Sequence, residues 1–496
     1  MKIPPSPPPD AVKFCEFVTA SPTPFHAVSN LSTRLLSSGF KPILERSPDL
    51  SLFKPGSKLF YTRNQSSLVA FTLPSNVTKE TAISFAVGHL DSPCLKLRPI
   101  SKKSKAGYLQ VGVELYGGGI WASWFDRDLS IAGRVIVANN SNSKSLNGPG
   151  YISKLVKIDR PLLRIPTLAI HLDRTINEAF KFNKETEFLP ISGLVADQLN
   201  SNSNNNDDGT NRSGRGTPQA FSGNATPVER EEDISRMEEK HHPLLLAVLA
   251  DELGCEVADI QDFELSLFDT QPSTVGGLSN EFVFSPRCDN LMTSFCSIEG
   301  LCEAVDSSSS DNNIRCVILF DNEEVGSVSH HGAESNLLPS FVERIVSLPD
   351  YEKIGYHNIL ANSFLVSADM GHAVNPNYEN RYEPNHAPRI NGGVVIKTNA
   401  NQRYTSNAQT TFLLRRVAKK AGVPVQEFEI RNDSTCGSTV GPHLSTHVRT
   451  VDIGLAQLSM HSIRETAGSK DVRYYIDFFK TYFDCLREFD MDLKID

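Results

Sequence analysis

The chain has 496 residues, too many for one ordinary domain, and at roughly 150 residues per domain the length implies two or three. Hydrophobic residues make up 39% and charged residues 22%, enough for a sizeable core, while 49 Lys plus Arg against 58 Asp plus Glu leave a net charge of −9. That mild acidity offers no basic footprint for nucleic acid and no polybasic anchor for a membrane.

The N-terminus, MKIPPSPPPDAVKF, holds five prolines in its first nine residues and no apolar run of a secretory signal. Residues 10–40 carry helical periodicity, and KLFYTR, SLVAFTLP and TAISFAVG in 58–73 and 81–88 read as strands. From about 95 to 195 short β-runs alternate with glycine turns (YLQVGVELYGGG, GRVIVAN, PTLAIHL), which predicts a β-rich insert. Between 198 and 227 the apolar residues are sparse and Asn, Ser, Gly and Thr dominate, so this stretch is expected to be a mobile surface loop. The charged EREEDISRMEEK that follows reads as the start of a helix. After Pro243 helices alternate with short, fully apolar strands (IRCVILF, SFLVSAD, GVVIKT, VQEFEI, VRTVDIGL), the pattern of a mostly parallel sheet covered on both faces. The longest continuous apolar run, 244–250, is far short of the roughly 20 residues that span a bilayer. Nine cysteines, odd in number and without a C-x-x-C pair, fit free thiols in a reducing, cytoplasmic compartment.

Open α/β sheets present their functional groups at the carboxyl ends of the strands. Here ISFAVG is followed by His89 and Asp91, CVILF by Asp321, Glu323 and Glu324, FLVSA by Asp369 and His372, and DIGLAQLSM by His461; Asp289 precedes a helix-like run, where it would also suit an N-cap. Each alone has a structural explanation as a turn, cap or core residue. Adjacent Glu323 and Glu324 behind a buried strand, however, would repel each other unless a cation sits between them. Histidines and carboxylates without a thiolate form an O/N donor set, and the imidazoles favour zinc over calcium or magnesium.

VGHLDSP (87–93), SPRCDN (285–290), DNEEVGS (321–327), SADMGHAVNPNY (367–378) and MHSIRE (460–465) resemble the aspartyl aminopeptidase and vacuolar aminopeptidase I family of co-catalytic zinc exopeptidases. NAQTTFLL (407–414), DSTCGSTVGP (433–442), GGGIWASWFDRDLSIAGRV (117–135) and IPTLAIHLDR (165–174) extend the resemblance over nearly the whole chain; the 198–227 insertion departs from it. The resemblance implies two zinc ions per subunit, with Asp289 bridging, His89 and Asp369 on one ion, and Glu324 and His461 on the other. It implies Glu323 as general base, with Asp91 accepting the second ring N–H of His89 and fixing its tautomer. It further implies that His171 reaches a neighbouring subunit's active site, and that His372, Lys397 and Tyr404 contact the substrate.

The chemistry these residues allow agrees with that implication. Two metals about 3.5–4 Å apart can activate a water and polarise a carbonyl together, while an unligated carboxylate moves the proton. An acidic first residue needs a fixed cation or imidazoles, and Lys397 and the histidines are available; Lys397 has a structural alternative as a strand-end surface lysine. The chain contains no G-x-S-x-G, no G-x-x-x-x-G-K-[ST] and no H-E-x-x-H, which disfavours serine hydrolases, P-loop NTPases and thermolysin-like proteases. A shell or cargo protein that keeps the fold without turnover is the non-enzyme alternative, and the complete set of site residues argues against it. The expectation is therefore an α/β metallopeptidase domain (1–95 and 243–496) with a β-rich dimerisation insert (96–242) containing a disordered loop at about 198–240. It would remove Asp or Glu from the N-termini of peptides as a homo-oligomer, a tetrahedral dodecamer by the resemblance, in the cytoplasm; the family's vacuolar member leaves vacuolar delivery open.

Overall fold

The computed structural model describes residues 6–139, 150–195, 236–306 and 312–494. The chain splits into two compact units, the first made of Met1–Cys94, Leu115–Trp124 and Gln271–Asp496, the second of Leu95–Glu114 and Phe125–Thr270. The expected boundary at 242/243 therefore moves. Helix Pro243–Leu253 and strand Ile260–Asp269 belong to the second unit, because Ile260–Asp269 pairs antiparallel along Leu129–Asn139. Conversely, Leu115–Trp124 leaves the insert and counts with the first unit. Most of the expected loop at 198–240 lies outside the described residues; its end forms the helical turn Met237–Lys240.

In the first unit a nine-stranded sheet has the order 41–42, 58–63, 67–72, 314–320, 83–89, 364–368, 449–454, 394–397, 425–428. Its four central strands (Ile314–Phe320, Ile83–His89, Phe364–Ala368, Arg449–Gly454) run parallel, while Ser67–Thr72 and Val394–Lys397 join them antiparallel. The mostly parallel α/β sheet expected from the sequence is present. Ile83–His89 and Ile314–Phe320 are buried at every residue, since both faces are covered. On one face helices Pro9–Ala20, Pro24–Ser37, Cys288–Asp306, Ala408–Ala421 and Ser469–Asp492 pack over residues such as Ala86 and Val317. On the other, Leu337–Val346 and Tyr356–Asn362 pack over Phe85, Val87 and Ile318. Burying one such Phe or Ile side chain contributes roughly 1.5–3 kcal/mol, and the alternation of the two sets along each strand locks its register.

That register matters for the site. Phe320 pairs with His89 and Ser367 with Val87, so the carboxyl ends of three neighbouring strands finish together. Gly88 lets helix Cys288–Asp306 approach closely, because a Cβ there would meet Asn290 Nδ2, Thr293 Cγ2 and the Ala368 carbonyl at 3.1 Å. A five-stranded sheet (274–276, 282–285, 465–468, 456–458, 371–372) lies in the same unit and carries His372 and Glu465. The second unit holds a six-stranded sheet in the order 150–157, 129–139, 260–269, 94–105, 108–116, 191–194, which is the β-rich insert. Among the described residues no helix is long and apolar enough to cross a membrane.

Candidate metal centre

His89 closes strand Ile83–His89, Asp369 follows Phe364–Ala368, and Glu323 and Glu324 sit in the single turn after Ile314–Phe320. Asp289 precedes the regular helix, its φ/ψ of −81°/109° being non-helical. His461 and Asn322 adopt left-handed φ values of 67° and 63°, the local strain that accumulates where side chains must be aimed. The sheet ends thus bring all five residues expected as ligands into one place.

Two donor groups result, His89–Asp289–Asp369 and Asp289–Glu324–His461, with Asp289 common to both. His89 Nε2 stands 3.5 Å from Asp289 Oδ1 and 3.4 Å from Asp369 Oδ1. His461 Nε2 stands 3.3 Å from both Asp289 Oδ2 and Glu324 Oε2. Glu323 belongs to neither group, although its Oε2 lies 3.8 Å from His89 Nε2.

The hydrogen bonds around the groups explain how they are aimed. His89 Nδ1 faces the Asp91 backbone carbonyl at 3.0 Å, and His461 Nδ1 faces the Gly118 carbonyl at 3.1 Å. A carbonyl can only accept, so each ring carries a proton on Nδ1, which leaves Nε2, the nitrogen facing the carboxylates, as the atom able to take a metal. Asp91 meets the same ring nitrogen twice, through its main-chain oxygen at 3.0 Å and through a carboxylate oxygen at 3.4 Å. The Asp91 carboxylate also accepts the backbone N–H groups of Glu323 and Glu324, each at 3.1 Å, and the Tyr116 hydroxyl at 2.7 Å. It fixes the turn that carries both glutamates.

Electrostatics favour a cation at this site. Burial pushes the Glu323 carboxyl up to about 8, with His89 opposing and Asp369, Asp91 and Asp289 adding to the rise. Burial and the Asp289 charge likewise raise Glu324. For His461 burial works downward, but contact with Asp289 outweighs it and lifts the imidazole to about 9. Asp289 Oδ1, Glu324 Oε1 and Asp369 Oδ1 are buried without a hydrogen bond of ordinary geometry. Buried carboxylate oxygens without donors are costly unless a cation supplies the partner. The donor set of imidazole and carboxylate fits zinc.

The remaining expected residues fall outside the donor groups. Lys397 is buried, not a surface lysine; its ammonium donates to the Met370 carbonyl at 2.7 Å and lies 3.8 Å from Asp369 Oδ2. Its charge also stands 5.3 Å from the Tyr404 ring, and the rings of Tyr404 and the exposed His372 both meet Phe428. His171 belongs to the second unit and is exposed. The sequence alone assigns no role to Tyr116, Asn322 or Glu465. Asn322 donates to the Tyr116 hydroxyl at 2.9 Å, and Glu465 accepts the backbone N–H groups of Asp289 and His461. Glu465 closes the MHSIRE motif, so its position was visible although its task was not.

The family model described as aminopeptidase I zinc metalloprotease (M18) matches residues 17–483. The aspartyl aminopeptidase of Aspergillus oryzae is 47% identical over 490 residues, covering 95% of each chain. Aspartyl aminopeptidase 4 of Saccharomyces cerevisiae is 44% identical over 484 residues, covering 95% of this chain and 94% of the relative. Among solved structures, the Ape4 and Nbr1 complex contains a chain that matches with TM-score 0.85 and 44% identity, covering 98% of this chain and 87% of that one. The S. cerevisiae mApe1 dodecamer matches with TM-score 0.78 and 30% identity, covering 97% and 98%.

Proposed function

The chain belongs to the aminopeptidase I zinc metalloprotease (M18) family, and from that premise we propose that this zinc aminopeptidase removes Asp and Glu from the N-termini of peptides with Glu323 as general base. The observation that carries the reading is the pair of donor groups sharing Asp289, with Glu323 beside both and part of neither. His89, Asp289 and Asp369 would hold one zinc ion and Asp289, Glu324 and His461 a second, two per subunit. When bound, zinc lowers the pKa of its water and polarises a substrate carbonyl. Glu323 takes the proton of the attacking water and delivers it to the leaving amine, a task suited to a carboxylate poised beside the site with its backbone held by Asp91. Asp91 thus serves catalysis by holding the turn of both glutamates.

An acidic side chain at the first position needs a positive or hydrogen-bonding partner. Lys397, Tyr404 and His372, gathered around Phe428 and next to Asp369, are the groups we assign to substrate contact. The names of the relatives, aspartyl aminopeptidases, support this choice. The dodecameric neighbour supports a homo-oligomer, for which we propose the tetrahedral dodecamer, with the second unit as its dimerisation element and His171 entering a neighbour's pocket. An odd number of cysteines without a C-x-x-C pair supports a reducing, cytoplasmic setting. The test is a profile of aminoacyl substrates with purified, zinc-loaded protein. Turnover concentrated on Asp and Glu is expected; equal or better turnover of neutral or basic residues would overturn the specificity, and no turnover of any substrate would overturn the activity.

A further inference from the structure

Glu465 is buried among groups that already carry excess negative charge. It stands 2% exposed, with its oxygens on the main-chain amides of Asp289 and His461. A buried carboxylate next to Asp289 adds electrostatic repulsion there, which calls for a compensating task.

The geometry identifies that task. Glu465 Oε2 accepts the backbone N–H of Asp289 at 3.1 Å, and Oε1 accepts the backbone N–H of His461 at 2.8 Å. Asp289 is the residue shared by the two donor groups, and His461 is the imidazole of the second group only. Strand pairing sets the carboxylate in place: Glu465 lies opposite Ser285 in the antiparallel pair formed with Phe282–Ser285, just ahead of Asp289 in the chain. The turn it holds is strained, because Ser459 and His461 both take left-handed φ values, 58° and 67°. A left-handed backbone at a non-glycine residue persists only when its surroundings enforce it, and the hydrogen bond to the His461 amide supplies that restraint.

We propose that Glu465 is a positioning residue whose one carboxylate ties the main chain of Asp289 to that of His461 and so sets the geometry of the second metal position. This rests on the two-ion reading above. Glu465 belongs to neither donor group; the effect passes through the backbones of two ligands. The first position, built from His89 and Asp369 with Asp289, keeps two members that Glu465 does not touch, so the two positions should respond unequally.

Glu465→Gln separates positioning from mere packing. The amide keeps the shape and one acceptor oxygen, but its NH2 cannot accept, so one of the two backbone N–H groups loses its partner. Metal-free full-length protein would be titrated with Co2+, whose visible absorption reports ligand geometry. Wild-type protein should take up two ions per chain. Glu465→Gln should bind the first with wild-type affinity and spectrum, and the second roughly 10–100-fold more weakly with an altered spectrum, the usual loss on removing a partner of a metal ligand. Glu465→Asp, which keeps the charge but is too short to reach both amides, should show the same selective loss and serves if the Gln variant does not fold. Two ions bound with wild-type affinities and spectra in either folded variant would overturn the proposal, even with reduced heat stability. Equal weakening of both positions would also overturn it. Fewer than two ions bound by the wild-type chain would overturn the two-ion reading itself.

Discussion

Glu323→Gln exchanges one carboxylate oxygen for an amide nitrogen at nearly constant volume. Both donor groups keep every member, so zinc content should stay at the wild-type level. Loss of a general base lowers turnover by about 10²–10⁴, equivalent to about 2.7–5.4 kcal/mol of barrier at 1.36 kcal/mol per tenfold. The metal-free protein offers an independent signature. Burial, reinforced by neighbouring carboxylates and opposed by His89, lifts Glu323 from 4.5 to about 8. A carboxyl held above its ordinary value costs stability increasingly as pH rises from about 4.5 to about 8, because the unfolded chain ionises first. Glutamine does not titrate. Metal-free Glu323→Gln should therefore melt above metal-free wild type near pH 8, and the gap should close toward pH 5. Metal analysis, steady-state kinetics and thermal melts in chelator across that range measure the three quantities. Zinc loss in Glu323→Gln as deep as in Glu324→Gln, whose carboxylate belongs to a donor group, would show Glu323 to be a ligand. Wild-type turnover would remove it from the reaction altogether.

Three further outcomes follow from the same geometry. Gly117→Ala places a Cβ 3.2 Å from Glu324 Cβ on a backbone with φ +75°, a conformation that costs an L-residue roughly 1–2 kcal/mol. It should weaken zinc retention during dialysis, and retention equal to wild type would count against Gly117 as a wall of the site. Chelation should lower the melting temperature, and zinc restored at 100 times its Kd should return about 2.7 kcal/mol per ion, so an unchanged melting temperature would contradict a cluster that requires a cation. Hetero-oligomers of His171→Phe and Glu323→Gln should regain activity that neither homo-oligomer has. No recovery, despite demonstrated subunit exchange, would refute service of a neighbouring site by His171.

The parts legible in the sequence are those with one dominant cause. Strands Ile83–His89, Ile314–Phe320 and Phe364–Ala368 are buried throughout and largely apolar because both their faces are covered, and the residues that end them were found from that pattern. What escaped depends on groups brought together from distant segments. Glu465 acts on Asp289 across 176 positions through backbone amides, which leave no residue pattern. Asp91 sits two residues after His89, yet its carboxylate binds the glutamate turn more than 230 positions away. Lys397 ends a strand that from its sequence could finish at the surface; only the fold reveals that it is buried beside Asp369. Strand Ile260–Asp269 is largely exposed from Gln261 to Glu264 and buried from Leu265 on, so it lacks the largely apolar texture of the central strands, and its place in the second unit depends on pairing with Leu129–Asn139.

The route of the chain through its two units limits how this protein can be rebuilt. Between Leu95 and Thr270 it returns once to the first unit, for the ten residues Leu115–Trp124. Those residues supply the Tyr116 hydroxyl to Asp91 and the Gly118 carbonyl to His461. A chimera spliced in one piece at 94 and 271 would therefore exchange more than an accessory module; it would replace two of the groups that aim the ligands. Grafting the β-rich unit from a relative requires two separate cassettes, 95–114 and 125–270, with the native 115–124 left between them. Recombination between relatives is constrained in the same way: a single crossover pair that preserves the insert as a block must also carry a compatible Tyr and glycine run.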